Sequence, residues 1–305
     1  MSKSENIRRS VIAGSWYPGT GPTLRCALDE YFARVDGSPV PLDCLRSPQR
    51  KRDSAGQAGS LLGLISPHAG YAYSGLTAAH AYHQLVGRQV DTVVIVAPSH
   101  RIWLDECAVS DEDAYETPLG LVPLDKHFIA ALSSLLRLQR IHGDAEHSIE
   151  IQLPFLQRQL SEFQLVPILM STDDVAVSQR LATAVAEIIR GRRVEDGRVL
   201  LVASSDMHHI ENYDEVVRRD RPVVDAIAAY DLEQVARLLM DRRCSVCGRM
   251  PILAVLHACR LLGADAIKIL HHTNSGDVTG QRWSSLPRPG QYTVGYMAAA
   301  IYKTQ

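Results

Sequence analysis

Three polar segments carry residue types on which metal and proton chemistry depend: Ser66-Pro67-His68-Ala69-Gly70-Tyr71, Pro98-Ser99-His100 and Ser204-Ser205-Asp206-Met207-His208-His209. Imidazole, carboxylate and thiolate are ligands of transition metals. Two histidines with one anionic ligand, leaving positions open, is the arrangement of non-haem iron oxygenases. His68 and His100 are therefore candidate ligands, and Asp206, His208 and His209 are candidates for further ligation or proton movement. Asp206 has a second reading, as a strand-end cap that accepts hydrogen bonds from nearby backbone N–H groups.

The third kind of ligand must come from a cysteine. Cys244-Ser245-Val246-Cys247 has C-x-x-C spacing, but structural zinc needs a second pair and none follows. A thioredoxin-like motif opens a helix after a strand, whereas here a predicted helix precedes the cysteines. Cys247 leads through Gly248-Arg249-Met250-Pro251 into an apolar helix, Ile252 to Leu262, with Pro251 suited to the first turn. A helix N-terminus and Arg249 are expected to stabilise its thiolate, favouring metal ligation or nucleophilic attack. The alternative is a small buried hydrophobe. His147 and Glu150 of Glu146-His147-Ser148-Ile149-Glu150 share a face of a predicted helix and are candidates to support the pocket, although the segment also reads as an ordinary capped helix start. His80, His83, His271 and His272 belong to no comparable segment and read as packing residues.

The elements around these segments alternate. Leu61 to Ile65 reads as a strand and Gly75 to Val86 as a helix; Asp91 to Ala97 is continuously apolar and β-branched, as a central strand buried on both faces would be. Helices are predicted over 125–136 and 175–190, strands over 163–170 and 198–203, a mostly helical stretch over 216–262, and strand-like runs over 266–271 and 291–301. Each candidate histidine follows a buried strand, and ligand sites in open α/β sheets lie beyond the carboxyl ends of the strands. No repeat and no linker divides the chain, so residues 1–305 are expected to form a single α/β domain, with a central mixed, mostly parallel sheet and helices on both faces. The polar run 46–59, with Arg50-Lys51-Arg52, is expected to be a flexible, solvated loop.

Composition excludes several classes of function. With 32 basic and 34 acidic residues the formal charge is −2, which leaves no basic excess to hold a phosphate backbone, so nucleic acid is not an expected partner. No stretch approaches the ~20 apolar residues of a membrane span and the first residues lack a signal-peptide core. A cytoplasmic protein is expected, without a membrane partner. Its six cysteines are scattered through 305 residues, which points to reduced thiols rather than a disulfide framework.

Six motifs together resemble one family. Ala13 to Gly19 (AGSWYPG), Pro67 to Gly75 (PHAGYAYSG), Ala97 to Arg101 (APSHR), Glu146 to Leu156 (EHSIEIQLPFL), Ser204 to His209 (SSDMHH) and Cys247 to Ile252 (CGRMPI) follow one another as in the Memo family, from about Val11 to Tyr302. The resemblance implies the fold of class III extradiol dioxygenases, whose site holds Fe(II) through two histidines and a carboxylate, with a cysteine in place of the carboxylate in Memo proteins. It places His68, His100 and Cys247 as metal ligands, and Asp206 and His209 as further pocket residues, His209 at the position of the dioxygenase acid/base histidine. His208 stands where a small or hydrophobic residue would be expected, so either histidine is open for that role. The resemblance also suggests Trp16, Tyr17, Tyr71 and Tyr73 as pocket walls, and a radical-SAM enzyme and other pathway proteins as partners.

Three functions follow as expectations. The first is an oxidoreductase using Fe(II) or Cu against a small organic substrate; thiolate in place of carboxylate makes the site softer and argues against plain catechol cleavage. The second is a metal-containing module that binds a peptide or phosphopeptide without catalysis. The third is a metal-free Cys247–His209 nucleophile. Fold likeness alone does not choose among them.

Overall fold

Thr92–Pro98 is buried along its whole length, as its β-branched sequence demands: a strand with no polar side needs a layer against each face. The computed structural model of the chain describes residues 6–37, 59–282 and 290–304. Its strands are β1 (Ile7–Arg8), β2 (Ser60–Ser66), β3 (Thr92–Pro98), β4 (Cys107–Ser110), β5 (Ala114–Thr117), β6 (Gly120–Pro123), β7 (Gln139–Ile141), β8 (Gln164–Met170), β9 (Val199–Ser204), β10 (His209–Ile210), β11 (Ala266–Asn274) and β12 (Thr293–Lys303). Its helices are α1 (Gly21–Asp36), α2 (Tyr71–Tyr82), α3 (Lys126–Leu135), α4 (Leu153–Gln159), α5 (Val175–Gly191), α6 (Tyr213–Ala228), α7 (Leu232–Leu239), α8 (Arg249–Leu261) and α9 (Ser275–Thr279).

One mixed sheet runs β10-β12-β2-β9-β3-β8-β4-β7, with β11 also paired to β12. Its centre, β2-β9-β3-β8, is parallel, while β12 and β4 flank it antiparallel. Helices cover both faces, completing a single α/β domain: α8 packs on β2, β3 and β9 and against α5, and α2 packs on β2, β11 and β12. β1, β5 and β6 form a small separate sheet.

This topology positions the three polar segments. β9 lies between β2 and β3 and runs parallel to both, with Ser204 level with Ser66 and Ala203 level with Val96. The loops opening at Pro67, Ser99 and Ser205 therefore leave the sheet side by side. Helix α8 brings its amino end to the same place, anchored by Ile252, Leu253, Val255 and Leu256, all buried. Such side chains contribute about 1.5–3 kcal/mol each, so the helix does not depend on Arg249, the polar residue of its first turn, for its hold on the sheet.

Two expectations change. The helix foreseen from Gly75 starts at Tyr71, immediately after the His68 loop. The helix foreseen through Glu146 to Glu150 begins only with a 3-10 turn at Glu150–Gln152. Before it, side chains take the donors a helix would have used: Asp144 accepts from the N–H of Glu146, and Glu146 from those of His147 and Ser148. His147 and Glu150 consequently do not share a helical face. The expected loop at 46–59 lies outside the described residues apart from Gly59.

Candidate functional site

His68 is almost fully buried, and its Nδ1 is 3.1 Å from Ser204 Oγ. That hydroxyl donates its one hydrogen to the carbonyl of Ser148 at 2.6 Å, so towards His68 it can only accept. The proton therefore sits on Nδ1 and Nε2 presents a lone pair. Nε2 is buried with no hydrogen-bond partner among the described residues. Burial and the neighbouring imidazoles of His100, His147 and His209 hold the His68 pKa well below that of a free histidine, which keeps the ring neutral. A neutral imidazole with a free lone pair is the ligand form.

His100 and Cys247 complete a group with His68 whose ligand atoms all lie within 4.8 Å of one another. Metal–nitrogen and metal–sulfur bonds of about 2.0–2.3 Å separate neighbouring ligands by roughly 3–4 Å. His100 is held from behind by Glu146, which accepts its backbone N–H and, at 3.3 Å, approaches its Nδ1. Its own side chain is 31% exposed, so the group opens to solvent on that side.

The thiol of Cys247 differs from its sequence expectation. Arg249 turns away to an ion pair with Asp173 at 2.7 Å, although α8 begins at Arg249, nearer to Cys247 than the foreseen start at Ile252. Burial, with the Asp206 carboxylate adding to it, pushes the thiol well above its ordinary value. A thiolate here needs a positive charge that none of the described side chains beside it supplies, and a metal ion would provide it. Gly248 seats this turn. Its N–H donates to Ser205 Oγ at 2.9 Å, and a Cβ there would collide with Ser205 and lie 2.7 Å from the carbonyl oxygen of Ser204.

Asp206 and His209 face the same sulfur. His209 Nε2 is 3.3 Å from Cys247 Sγ and 3.9 Å from Asp206 Oδ2. Asp206 Oδ1 accepts the backbone N–H groups of His68 at 2.7 Å and Ala69 at 3.2 Å. Burial raises its carboxyl to about 7 despite those donors. Burial and the His100 ring lower His209 to about 4. His208 points elsewhere: its Nδ1 pairs with buried Asp220 at 2.8 Å, and His272 reaches the other oxygen of that carboxylate at 3.4 Å. Of the two histidines it is His209 that meets Cys247.

His147 joins the pocket although its predicted helix is absent. Its ring lies 4.3 Å from that of Trp16, 4.8 Å from His100 and 5.6 Å from His68, centre to centre. Tyr71 is buried beneath, its hydroxyl donating to the carbonyl of Ile151 at 3.0 Å. Glu150 serves a different cluster: it pairs with buried Arg8 and accepts from Tyr17 and Ser10 at 2.6 Å each. Tyr73 is 48% exposed. Glu146 was not among the expected site residues, yet its carboxylate binds both His100 and His147. Its only signal in the sequence is its place directly before His147, and capping accounts for that equally well.

The buried lone pair of His68, the raised thiol and the open side at His100 fit a transition-metal ion. Comparison with known proteins agrees on the family. The family described as Memo-like protein matches residues 8–290. A MEMO1 family protein of Aeropyrum pernix is 35% identical over 301 residues, covering 97% of this chain and 99% of that protein. One of Methanothermobacter thermautotrophicus is 34% identical over 283 residues, covering 91% and 97%. Matched over nearly its whole length, the chain belongs to the Memo-like family.

Proposed function

We propose that His68, His100 and Cys247 hold one redox-active ion, iron(II) or copper, and that the protein is an oxidoreductase acting on a small organic molecule. The observation that carries this reading is the unpartnered, buried Nε2 of His68, grouped with an imidazole and a sulfur. The ion, when bound, supplies oxygen binding and electron transfer. The surrounding residues then divide the remaining work. Asp206, whose carboxyl burial raises to about 7 in the ion-free protein, is a group that can hold a proton near neutral pH, and Oδ2 is the oxygen free to carry it, because Oδ1 accepts two N–H groups. His209 is neutral at that pH and stands between Asp206 and the solvent, where its imidazole can pass the proton on. Trp16 and His147 form the adjoining wall against which a flat substrate would stack.

The Cys247–His209 contact of 3.3 Å favours a second reading, a metal-free nucleophile. Its charges oppose it. The thiol is raised and the imidazole lowered, which leaves a neutral pair rather than thiolate and imidazolium. Binding of a peptide in place of a small molecule, a radical-SAM partner and a cytoplasmic location rest on the resemblance and on composition. No helix among the described residues is long and apolar enough to cross a membrane.

The test is metal content after anaerobic loading, with oxygen uptake measured in parallel. Wild type and Cys244→Ser, loaded with Cu⁺, should each retain about one equivalent and Cys247→Ser almost none, because a neutral hydroxyl binds this soft ion weakly. Thermal melts of the two metal-free variants should stay within about 1 kcal/mol of the wild type. Equal occupancy in wild type and Cys247→Ser would remove the thiolate from the site.

A further inference from the structure

His147 carries an anomaly of its own. Its Nδ1 is 2.9 Å from Glu146 Oε1, near enough for a hydrogen bond, yet it is buried and has no hydrogen-bond partner among the described residues. The two atoms are close but not aimed at one another. His100 Nδ1 approaches the same oxygen at 3.3 Å. Two ligands about 2.0–2.1 Å from one ion lie about 2.8–3.0 Å apart at a right angle and about 3.3–3.4 Å apart at the tetrahedral angle. The separations of 2.9 Å and 3.3 Å are those of ligands around a shared ion.

We propose a second cation position beside the thiolate one, formed by His100, Glu146 and His147. All three offer ligand atoms within 4.8 Å of one another. Glu146 is nearly inaccessible to solvent, and its other oxygen is fixed by the backbone N–H groups of His100 and Arg101, so it is held in place before any ion arrives. Oε1 itself accepts the backbone N–H groups of His147 and Ser148, and the four N–H groups together favour the ionised carboxylate that a cation needs. The set is two imidazoles and a carboxylate, without sulfur, which suits Mn²⁺, Fe²⁺ or Zn²⁺ better than Cu⁺. A neutral imidazole has one lone pair, so His100 serves one position at a time. The two positions are alternatives, and the softness of the ion selects between them. This position does not require the thiolate site to be filled.

Mn²⁺ alone is the probe, titrated anaerobically and followed by electron paramagnetic resonance, with Cys247→Ser as the parent protein. The parent should bind one equivalent with an affinity within about threefold of the wild type. Adding His147→Gln, which keeps the side chain's bulk, should weaken binding at least tenfold, the scale on which a lost metal contact registers. Adding His68→Asn should leave it within threefold. A melt of each variant shows that the fold is kept, and a variant that fails it is replaced by His147→Asn. No binding by Cys247→Ser, or binding indifferent to His147, overturns the proposal; the latter would send the ion to a surface group such as Asp111 and His142, 3.0 Å apart. Loading with Cu⁺, the softer ion, separates the two readings: equal Cu⁺ retention by wild type and Cys247→Ser would sink the thiolate site and leave the Mn²⁺ result standing.

Discussion

Two buried carboxylates border the pocket and are tuned in opposite directions. Glu146 and Asp206 are 1% and 3% exposed, so burial alone would raise both. Glu146 is met by four backbone N–H groups, from His100, Arg101, His147 and Ser148, and by two imidazoles. Asp206 has two backbone N–H groups, both on one oxygen, and a thiol that needs no negative neighbour. The first stays ionised and the second is pushed up to about 7. The number and charge of the donors decide the protonation state here, and depth of burial does not.

Changing each carboxylate to its amide should therefore move stability in opposite directions in the ion-free protein. Glu146→Gln leaves several buried N–H groups facing an NH₂ and should cost about 3–5 kcal/mol at pH 7 by denaturant unfolding. A loss below 1 kcal/mol would break the contrast. Asp206→Asn should be nearly neutral at pH 4, because an amide oxygen can accept the same two N–H groups. At pH 8 it should stabilise by as much as ~4 kcal/mol. The folded value of about 7 lies above the ordinary 3.8, so folding takes up a proton. Its contribution is whole below pH 4 and is lost as the pH climbs through 7. Unfolding curves of wild type and Asp206→Asn that keep a constant spacing from pH 4 to pH 8 would contradict this.

A third carboxylate sharpens the comparison. Asp220 is as buried as Asp206, but its contacts with His208 and His272 outweigh burial and keep it low. In return its hydrogen bond, aided by contact with Cys244, overcomes burial and raises His208 to about 9. That pair should contribute on the order of 3 kcal/mol, whole below about pH 6.5 and lost as the pH rises through 9. Asp220→Asn should flatten the decline in stability between pH 7 and pH 10, and an unchanged slope would assign it to other groups. The smallest effect belongs to Arg249. Its ion pair is with an exposed Asp173, so Arg249→Ala should alter stability by less than about 1 kcal/mol. It should also leave the pH at which iodoacetamide reacts with Cys247 unmoved, and a clear shift would restore Arg249 as a partner of the thiol.

These contrasts mark where the sequence was legible. The unbroken apolar run of β3 and the polar tips after β2, β3 and β9 disclosed the sheet and the place of His68 and His100, because burial on both faces leaves no room for polar residues until a strand ends. Cys247 and His209 were candidates by residue type and position, and the family motifs gave them their roles. Glu146 was not legible: a glutamate before a helix is ordinary, and only the folded chain shows four N–H groups turned towards it. The strands β1, β5 and β6 are two to four residues long and too short to show a period. The charge state of Cys247 was misjudged because Arg249, near in sequence, points to Asp173, while Asp206, distant in sequence, is near in space.

Gly248 has a mechanical consequence. With its hydrogen against Ser205 and its N–H bonded to that residue's hydroxyl, and with Ser245 Oγ both accepting the N–H of His209 and donating to its carbonyl at 3.1 Å each, the turn carrying Cys247 is clamped to the loop carrying Asp206 and His209. Sulfur, imidazole and carboxylate therefore move as one block. The opposite lip is pinned as well, at His100 and Arg101 by Glu146 and at Ser99 and Glu106 by backbone hydrogen bonds to Met170 and Ser171. Between those pins stands Trp103, an indole 79% exposed to solvent, so any widening of the mouth is confined to the few residues around it.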